Sequence, residues 1–319
     1  STIKNFVIIG KVFPEPNSTA AGSRMIQLMD LFLTQNYQIT FLSTATISEN
    51  SFDLSSKNIS FQNIVLNDSS FDELIKNLNP EIVIFDRFTT EEQFGWRVSE
   101  QVPNAVKILD TEDLHFLRNA REKAFKQNRN LEHLDLINDV FKREIASILR
   151  CDLSLIISEF EMNLLIEKFK MDENILFYLP LFGAVKKPET SFSKRKNFIS
   201  IGNFLHEPNW QTVLQLKKLW KNIKNQLQEA EIHIYGAYAS EKVFQLHNEK
   251  EGFIIKGRAE SVETVFNAAK VLLAPIPFGA GIKGKLLESM QFGLPNVTST
   301  VGAESMHGNH DWNGFITDN

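Results

Sequence analysis

At 319 residues, with 43% hydrophobic and 23% charged residues, the chain is long enough for two globular cores. A net charge of −5 excludes a protein held on nucleic acid by a global positive field. A single cysteine, Cys151, excludes an intramolecular disulfide and a cysteine zinc cluster, and no apolar run reaches the roughly 18–20 residues needed to span a bilayer.

Phe6-Val7-Ile8-Ile9-Gly10 is a continuous apolar run ending in glycine, the pattern of a strand buried on both faces. Ser1-Thr2-Ile3-Lys4 runs straight into it and leaves no room for a signal peptide, so a cytoplasmic protein is expected. A polar, proline-bearing loop follows from Pro14 to Ser23. Met25, Leu28, Met29, Phe32 and Leu33 then recur at helical spacing, and Ile39-Thr40-Phe41-Leu42 reads as the next strand. The alternation repeats with a helix over 71–78, a strand over 81–85 ending at Asp86-Arg87, a helix over 91–101 and a strand over 105–109 ending at Asp110. A long charged helical stretch is expected over 118–150. Cys151 reads as a small buried hydrophobe before the strand 153–157, and a helix over 159–169 completes this half.

The segment 183–197 breaks the rhythm with Pro188 and the basic run Lys194-Arg195-Lys196, and reads as a solvated linker. The alternation then restarts: strand 198–201, helix from about Asn209, strands 232–235 and 253–255, helix 262–269 and strand 271–274. Strands alternating with helices predict α/β, doubly wound parallel sheets. The expected organisation is an N-terminal domain over 1–182, a linker over 183–197 and a C-terminal domain over 198–319. The final Gly314-Phe315-Ile316-Thr317-Asp318-Asn319 reads as a strand or turn and points to further residues beyond 319.

The strongest chemical signal follows the strand that ends at Ala274. Pro275 to Glu304 contains Gly279-Ala280-Gly281-Ile282-Lys283-Gly284-Lys285 and then Glu288, Met290, Gly293 and Pro295. A glycine-rich loop entering a helix near Lys283 offers amide N–H groups and the helix dipole to an anion. Lys283 and Lys285 add charge, and Glu288 could accept hydrogen bonds from sugar hydroxyls. The bland alternative is a turn followed by a solvated helix face. Neither the P-loop nor the GxGxxG pattern fits, since no Gly-Lys-Ser/Thr closes the loop and it comes late in the second domain.

This stretch resembles the donor-binding segment of family 4 (group 1) retaining glycosyltransferases. Gly202-Asn203-Phe204-Leu205-His206-Glu207-Pro208-Asn209 is similar to the Gly-x-x-x-His-x-Pro-Asn loop of that family, and Ile254-Ile255-Lys256-Gly257-Arg258 to the strand and loop before its base pocket. The resemblance implies the GT-B architecture: two Rossmann-like doubly wound parallel-sheet domains facing a central cleft. It implies that Glu288 binds the ribose. The backbone at Gly281 and Ile282 would hold the diphosphate together with Lys283 and Lys285. Gly202, Asn203 and His206 would line the phosphate side, and Gly257 and Arg258 would approach the base. Glu304 would be a loop residue. Two positions depart from the family. Ala280 stands where many members carry a Glu eight positions before the ribose-binding one, and Asn203 where many carry Arg or Lys.

In the N-terminal half, Asp110-Thr111-Glu112-Asp113-Leu114-His115-Phe116-Leu117-Arg118 follows a strand end and looks like a segment of related transferases. His115, Asp113 and Glu112 are the catalytic candidates; Asp86, Asp110 and Arg118 are expected on the acceptor side. A helix N-cap from Thr111 or Asp113, with His115 as packing, is the structural alternative. Gly22, in a loop similar to the one facing the donor phosphates, joins the donor set, and Arg24 adds charge at a helix start. Asp86-Arg87 also reads as a surface ion pair. His233 and His247 read as structural or surface residues.

The expected function is transfer of a sugar, with retention, from a nucleotide-diphosphate sugar, UDP- or GDP-linked, to a hydroxyl of a saccharide, lipid-linked or protein acceptor. Neither cofactor nor metal is expected, because helix dipole and lysines carry the diphosphate. The alternatives are a sugar-nucleotide epimerase on the same fold and a non-catalytic nucleotide-sugar-binding partner subunit. Arg118, Arg121, Lys123, Lys126 and Arg129 read as a solvated face or as peripheral contact with the inner face of a membrane.

Overall fold

The computed structural model describes residues 3–181, 183 and 188–319. They divide into two compact units, one of Ser1–Pro16 and Ala21–Pro180, the other of Asn17–Ala20 and Leu181–Asn319. The expected linker lies partly outside the described residues.

The first unit holds seven strands: β1 (Lys4–Gly10), β2 (Tyr37–Ser43), β3 (Ser60–Asn63), β4 (Ile82–Asp86), β5 (Val106–Asp110), β6 (Leu153–Ile156) and β7 (Leu176–Tyr178). They are joined by helices α1 (Ala20–Leu33), α2 (Ser70–Leu78), α3 (Phe88–Gln101), α4 (His115–Lys126), α5 (His133–Leu136), α6 (Asp139–Arg150) and α7 (Glu159–Asn163). The sheet order is β3-β2-β1-β4-β5-β6-β7, and every pairing is parallel. Phe6, Val7, Ile8 and Ile9 are all fully buried, as a central strand covered by helices on both faces requires. On one face Phe6, Ile8, Ile39 and Phe41 pack against Met25, Leu28 and Met29 of α1, the residues at helical spacing.

The charged stretch 118–150 is three helices, α4, α5 and α6, not one. The chain reverses at Asn128, whose φ is +50°. A left-handed residue ends a helix, and asparagine tolerates that conformation better than most. Its basic residues are answered locally. Arg118 pairs with Asp113, Lys126 with Glu122 and Arg129 with Asp135, while Arg121 lies over the Phe160 ring. The expected helix 159–169 is α7 followed by a π turn over Leu164–Lys168. Among the described residues no helix is long and apolar enough to cross a membrane.

The second unit holds β8 (Lys196–Ile201), β9 (Ile232–Tyr235), β10 (Phe253–Gly257), β11 (Ala269–Ala274), β12 (Asn296–Thr298) and β13 (Gly314–Ile316). The order is β10-β9-β8-β11-β12-β13, again parallel throughout. Its helices are α8 (Glu207–Gln226), α9 (Glu241–Phe244), α10 (Val262–Ala268), α11 (Gly284–Gln291) and α12 (Thr300–Ala303). One cluster joins Val213, Leu216 and Trp220 of α8 to Ile232, Ile234 and Phe253; a second joins Phe266, Leu286, Phe292 and Leu294 to Ile199 and Leu272. The sheet is therefore covered on both faces.

In the basic run before β8, Lys194 and Lys196 are exposed, as a solvated segment requires, but the residue between them is not. Arg195 is buried and donates to the carbonyl oxygens of Phe266, Ala269 and Phe292, at 2.6, 3.1 and 2.6 Å. Its planar fork closes the ends of α10 and α11, where carbonyls lack helical partners. Cys151 is buried as expected, and desolvation pushes its thiol up to about 12, so it is an unreactive core residue.

Candidate functional site

In each sheet the strand order reverses at one place, between β1 and β4 in the first unit and between β8 and β11 in the second. Open α/β sheets bind ligands outside the carboxyl ends of the strands at such a reversal, because the connections there leave in opposite directions.

In the second unit, β8 ends at Ile201, just before Gly202, and β11 leads into the glycine-rich loop. Asn203 to His206 form a turn, with the His206 amide on the Asn203 carbonyl, and His206 is the N-cap of α8. Asn209 donates to the Asn203 carbonyl at 2.8 Å, and its own carbonyl oxygen accepts from Lys285 Nζ at 2.7 Å. Gly202 lies directly against this pair: a Cβ there would stand 2.5 Å from Asn209 Cγ and 2.7 Å from Lys285 Nζ. Burial lowers the Lys285 ammonium to about 8, against the opposing pull of Glu288 one turn on.

Gly281 adopts φ +72°, which delivers the chain to Lys283, the N-cap of α11; Lys283 Nζ reaches back to the Gly281 carbonyl at 3.2 Å. The first amides of α11, Lys283 and Lys285 thus gather at one strand end with Gly202, and Glu288 lies on the same helix. Gly257 sits at the end of β10 where the register shifts, and the Arg258 guanidinium lies 5.1 Å from the Tyr238 ring centre. Glu304 is the C-cap of α12.

The first unit gathers charge at the ends of β4 and β5. Arg24 lies buried against Asp110 at 3.1 Å and also donates to the Leu179 carbonyl at 2.9 Å. Its charge is spent inside the unit, not displayed at a helix start as expected. Asp110 likewise has no exposed surface and anchors Arg24. Gly22 packs against the Glu15 backbone, where a Cβ would stand 2.6 Å from the carbonyl carbon. Asp86 is also buried and accepts from the Lys11 amide at 3.4 Å, with Arg87 Nε at 3.6 Å; this pair is not a surface ion pair.

Arg87 and Glu112 both have left-handed φ, +73° and +65°. Such conformations cost on the order of 1–3 kcal/mol each and concentrate at functional sites. Burial, with Asp86 and Asp110 beside it, holds the Glu112 carboxyl well above the usual range, and Asp110 is raised by burial against the pull of Arg24. Arg87, despite burial, is raised by Asp86, Glu112, Asp113 and Asp110.

Ligand oxygens of Asp86, Asp110 and Glu112 lie within 4.8 Å of one another, a spacing that a cation could bridge. Arg24 and Arg87 lie against Asp110 and Asp86, and burial with the neighbouring Asp86 and Asp110 favours the protonated form of Glu112. Asp86 Oδ1, Asp110 Oδ2 and Glu112 Oε1 are nevertheless buried without a hydrogen-bond partner among the described residues.

His115 opens α4. Its Nδ1 lies 2.9 Å from the Asp113 carbonyl and 3.2 Å from Glu144 Oε2, while Asp113 pairs with Arg118 at 3.0 Å. The structure thus brings Asp86, Asp110 and Glu112 together, and separately His115, Asp113 and Arg118. Glu144 was invisible in the sequence: it is one carboxylate in a charged stretch, 29 positions from the residue it serves. His233 pairs with the Glu231 side chain, and His247 Nδ1 accepts from the Ile255 amide, both structural uses.

Residues 195–319 match the family of glycosyl transferases group 1. No curated protein matches the chain in sequence. Among solved structures the chain is similar to TarM, with a TM-score of 0.74 at 10% identity, covering 100% of this chain and 89% of that one. HepE of Anabaena, in complex with UDP and glucose, has a TM-score of 0.70 at 11% identity, covering 98% of this chain and 85% of that one. Sucrose-phosphate synthase of Thermosynechococcus elongatus has a TM-score of 0.68 at 12% identity, covering 94% and 82%. At these identities the likeness carries the fold.

Proposed function

We propose that this chain, a glycosyltransferase of GT-B fold whose residues 195–319 form a group 1 domain, moves a sugar from a UDP-sugar to an acceptor hydroxyl. The observation that carries this reading is the meeting of Gly202, Lys285, Asn209 and the start of α11 at the strand-order reversal of the second unit. Amides at a helix start beside two lysines suit a diphosphate. Glu288 on α11 takes the ribose hydroxyls, and Gly257 with Arg258 takes the base. The neighbours seen with UDP favour uridine over guanosine as the base.

In the reaction the anomeric C–O bond to the diphosphate breaks and a bond to the acceptor oxygen forms. The hydroxyl proton passes to the released diphosphate. Lys283, Lys285 and the α11 amides stabilise the charge that grows on the leaving group, which is where preorganised dipoles contribute most. These groups do the work that a metal would otherwise do, so activity survives EDTA. In the first unit His115 and Asp113, with Glu112 next to them in the chain, serve the acceptor hydroxyl. Transfer proceeds with retention, which the anomeric coupling constant of the product measures.

The test is a thermal-shift panel of UDP-, GDP-, ADP- and TDP-sugars on the chain and on Glu288→Ala. A donor at 100 times its dissociation constant adds about 2.7 kcal/mol of apparent stability. A shift with UDP-sugars alone, lost in Glu288→Ala, supports the reading. No shift with any donor overturns it, and a shift without turnover across hydroxyl acceptors favours a binding subunit instead, for which Ala280 is the motive.

A further inference from the structure

We infer that Glu144 is a positioning residue that, with the Asp113 carbonyl, holds His115 as the Nδ1–H tautomer, so that Nε2 presents its lone pair to a substrate hydroxyl. The Asp113 carbonyl, 2.9 Å from Nδ1, can only accept. Glu144 Oε2, 3.2 Å from the same nitrogen, is a second acceptor. Nδ1 therefore carries the hydrogen, and in the neutral ring Nε2 is the acceptor.

Glu144 is built for this task. It has no exposed surface, and its other oxygen, Oε1, accepts from the Phe116 amide at 3.0 Å. That amide is one of the unpaired donors at the start of α4, and Glu161 Oε1 takes the Leu114 amide beside it at 2.6 Å. Glu144 is thus fixed from one side by the helix start and grips the imidazole from the other. The groups facing His115 are Asp113, with Oδ1 at 3.6 Å and Arg118 behind it, Glu144 from α6, and the edge-on Phe88 ring of α3 at 5.5 Å. No cation stands against Nδ1 among these.

A purely structural role, capping α4 from α6, predicts something different, and Glu144→Gln separates the two. The glutamine oxygen still caps the Phe116 amide, so the fold is kept. Its NH2 then faces Nδ1–H, donor against donor, and the tautomer preference is disturbed. Nitrogen NMR of histidine-labelled protein, with His115 assigned by its loss in His115→Ala, reads this without substrate.

In the unaltered protein Nε2 should resonate as the unprotonated nitrogen, and in E144Q a protonated Nε2 population should appear. The functional half rests on the proposed glycosyl transfer. There kcat should fall about tenfold or more in E144Q with donor KM unchanged, the cost of a misplaced contact. In an H115A background E144Q should cost nothing further. A protonated Nε2 in the unaltered protein, or an E144Q variant with the same His115 signals, overturns the assignment. Changed signals with unchanged kcat overturn the role in turnover. Absence of any sugar transfer sinks the functional reading while the tautomer assignment stands on the spectrum alone.

Discussion

Lys285 Nζ donates to the Asn209 side-chain carbonyl at 2.7 Å, directly above the α-carbon of Gly202. This pair links α11 to α8 across the strand-order reversal and places a cation where Asn203 offers none. Burial lowers its ammonium to about 8. The sign of the consequence is fixed: below that value the group is charged and attracts a diphosphate, and above it the charge is lost. Donor affinity should hold steady to about pH 8 and then fall, approaching about tenfold per pH unit, until the donor-bound lysine itself deprotonates. Calorimetric titration of UDP from pH 6.5 to 9.5 measures this. Lys285→Gln should bind more weakly at pH 7 and show no such fall; an unchanged profile in the variant would remove Lys285 from the donor site.

Gly202→Ala tests the same geometry by space. A methyl group would stand 2.5 Å from Asn209 Cγ and 2.7 Å from Lys285 Nζ, so the pair must move. Because the lysine end is flexible, the fold should survive with a melting temperature lowered by a few degrees, while UDP affinity drops about tenfold or more. Wild-type affinity in Gly202→Ala would show that the Lys285–Asn209 pair is not what holds the diphosphate.

Much of this second site was legible because its parts are local. The buried strand ending at Ala274, the glycines after it and Lys283, Lys285 and Glu288 fall within fifteen positions of one another. Gly202 and Asn209 are far off in sequence, but they follow a strand of their own and could be placed at its end. The first unit was less readable. Arg24 looks in the sequence like added charge at a helix start and is instead committed to Asp110, a pairing across 86 positions that no periodicity encodes. The edge strands of the first sheet, β3 and β7, carry no such signal for a related reason. All four residues of β3 are exposed, so Ser60–Asn63 carries no apolar alternation, and its strand character comes entirely from pairing with β2.

Glu112 and Asp86 make a prediction about pH. The Glu112 carboxyl is raised by burial first and by Asp86 and Asp110 next. A carboxyl with a folded pKa above its unfolded value binds more protons when folded, so stability falls as pH rises from about 4.5 towards the folded value. The slope is at most about 1.4 kcal/mol per pH unit. Glu112→Gln, which mimics the protonated form, should remove that slope and gain on the unaltered protein as pH rises. Urea unfolding at several pH values measures it; parallel curves for the two proteins would show that Glu112 is ionised when folded.

Arg24 and Asp110 form a buried pair with side-chain exposures of 3% and 0%. Removing one partner strands the other charge in a low-dielectric interior, which typically costs about 3–5 kcal/mol. Arg24→Met should therefore destabilise the first unit strongly, and Arg24→Met with Asp110→Asn should recover a large part of the loss. Equal stabilities for the single and double variants would mean that Asp110 takes up a proton once its partner is gone, which its raised pKa makes inexpensive.

Arg195 shows why a basic run cannot be read as solvated from composition alone. Lys194-Arg195-Lys196 looks like a linker, yet the middle residue turns inward and donates to three carbonyls at the ends of α10 and α11 as well as to that of Thr190. The fork geometry decides which substitutions matter. Arg195→Met leaves those oxygens buried without donors, at about 1–3 kcal/mol each by the usual desolvation cost, so unfolding of the second unit should shift by at least about 3 kcal/mol. Arg195→Lys keeps the charge but cannot reach three acceptors at once, and should fall between the two. Neither variant touches Gly202, Lys285 or Glu288, so UDP affinity measured well below the melting temperature should stay within about twofold. A lysine variant as stable as the original would show that charge, and not the planar fork, closes the ends of α10 and α11.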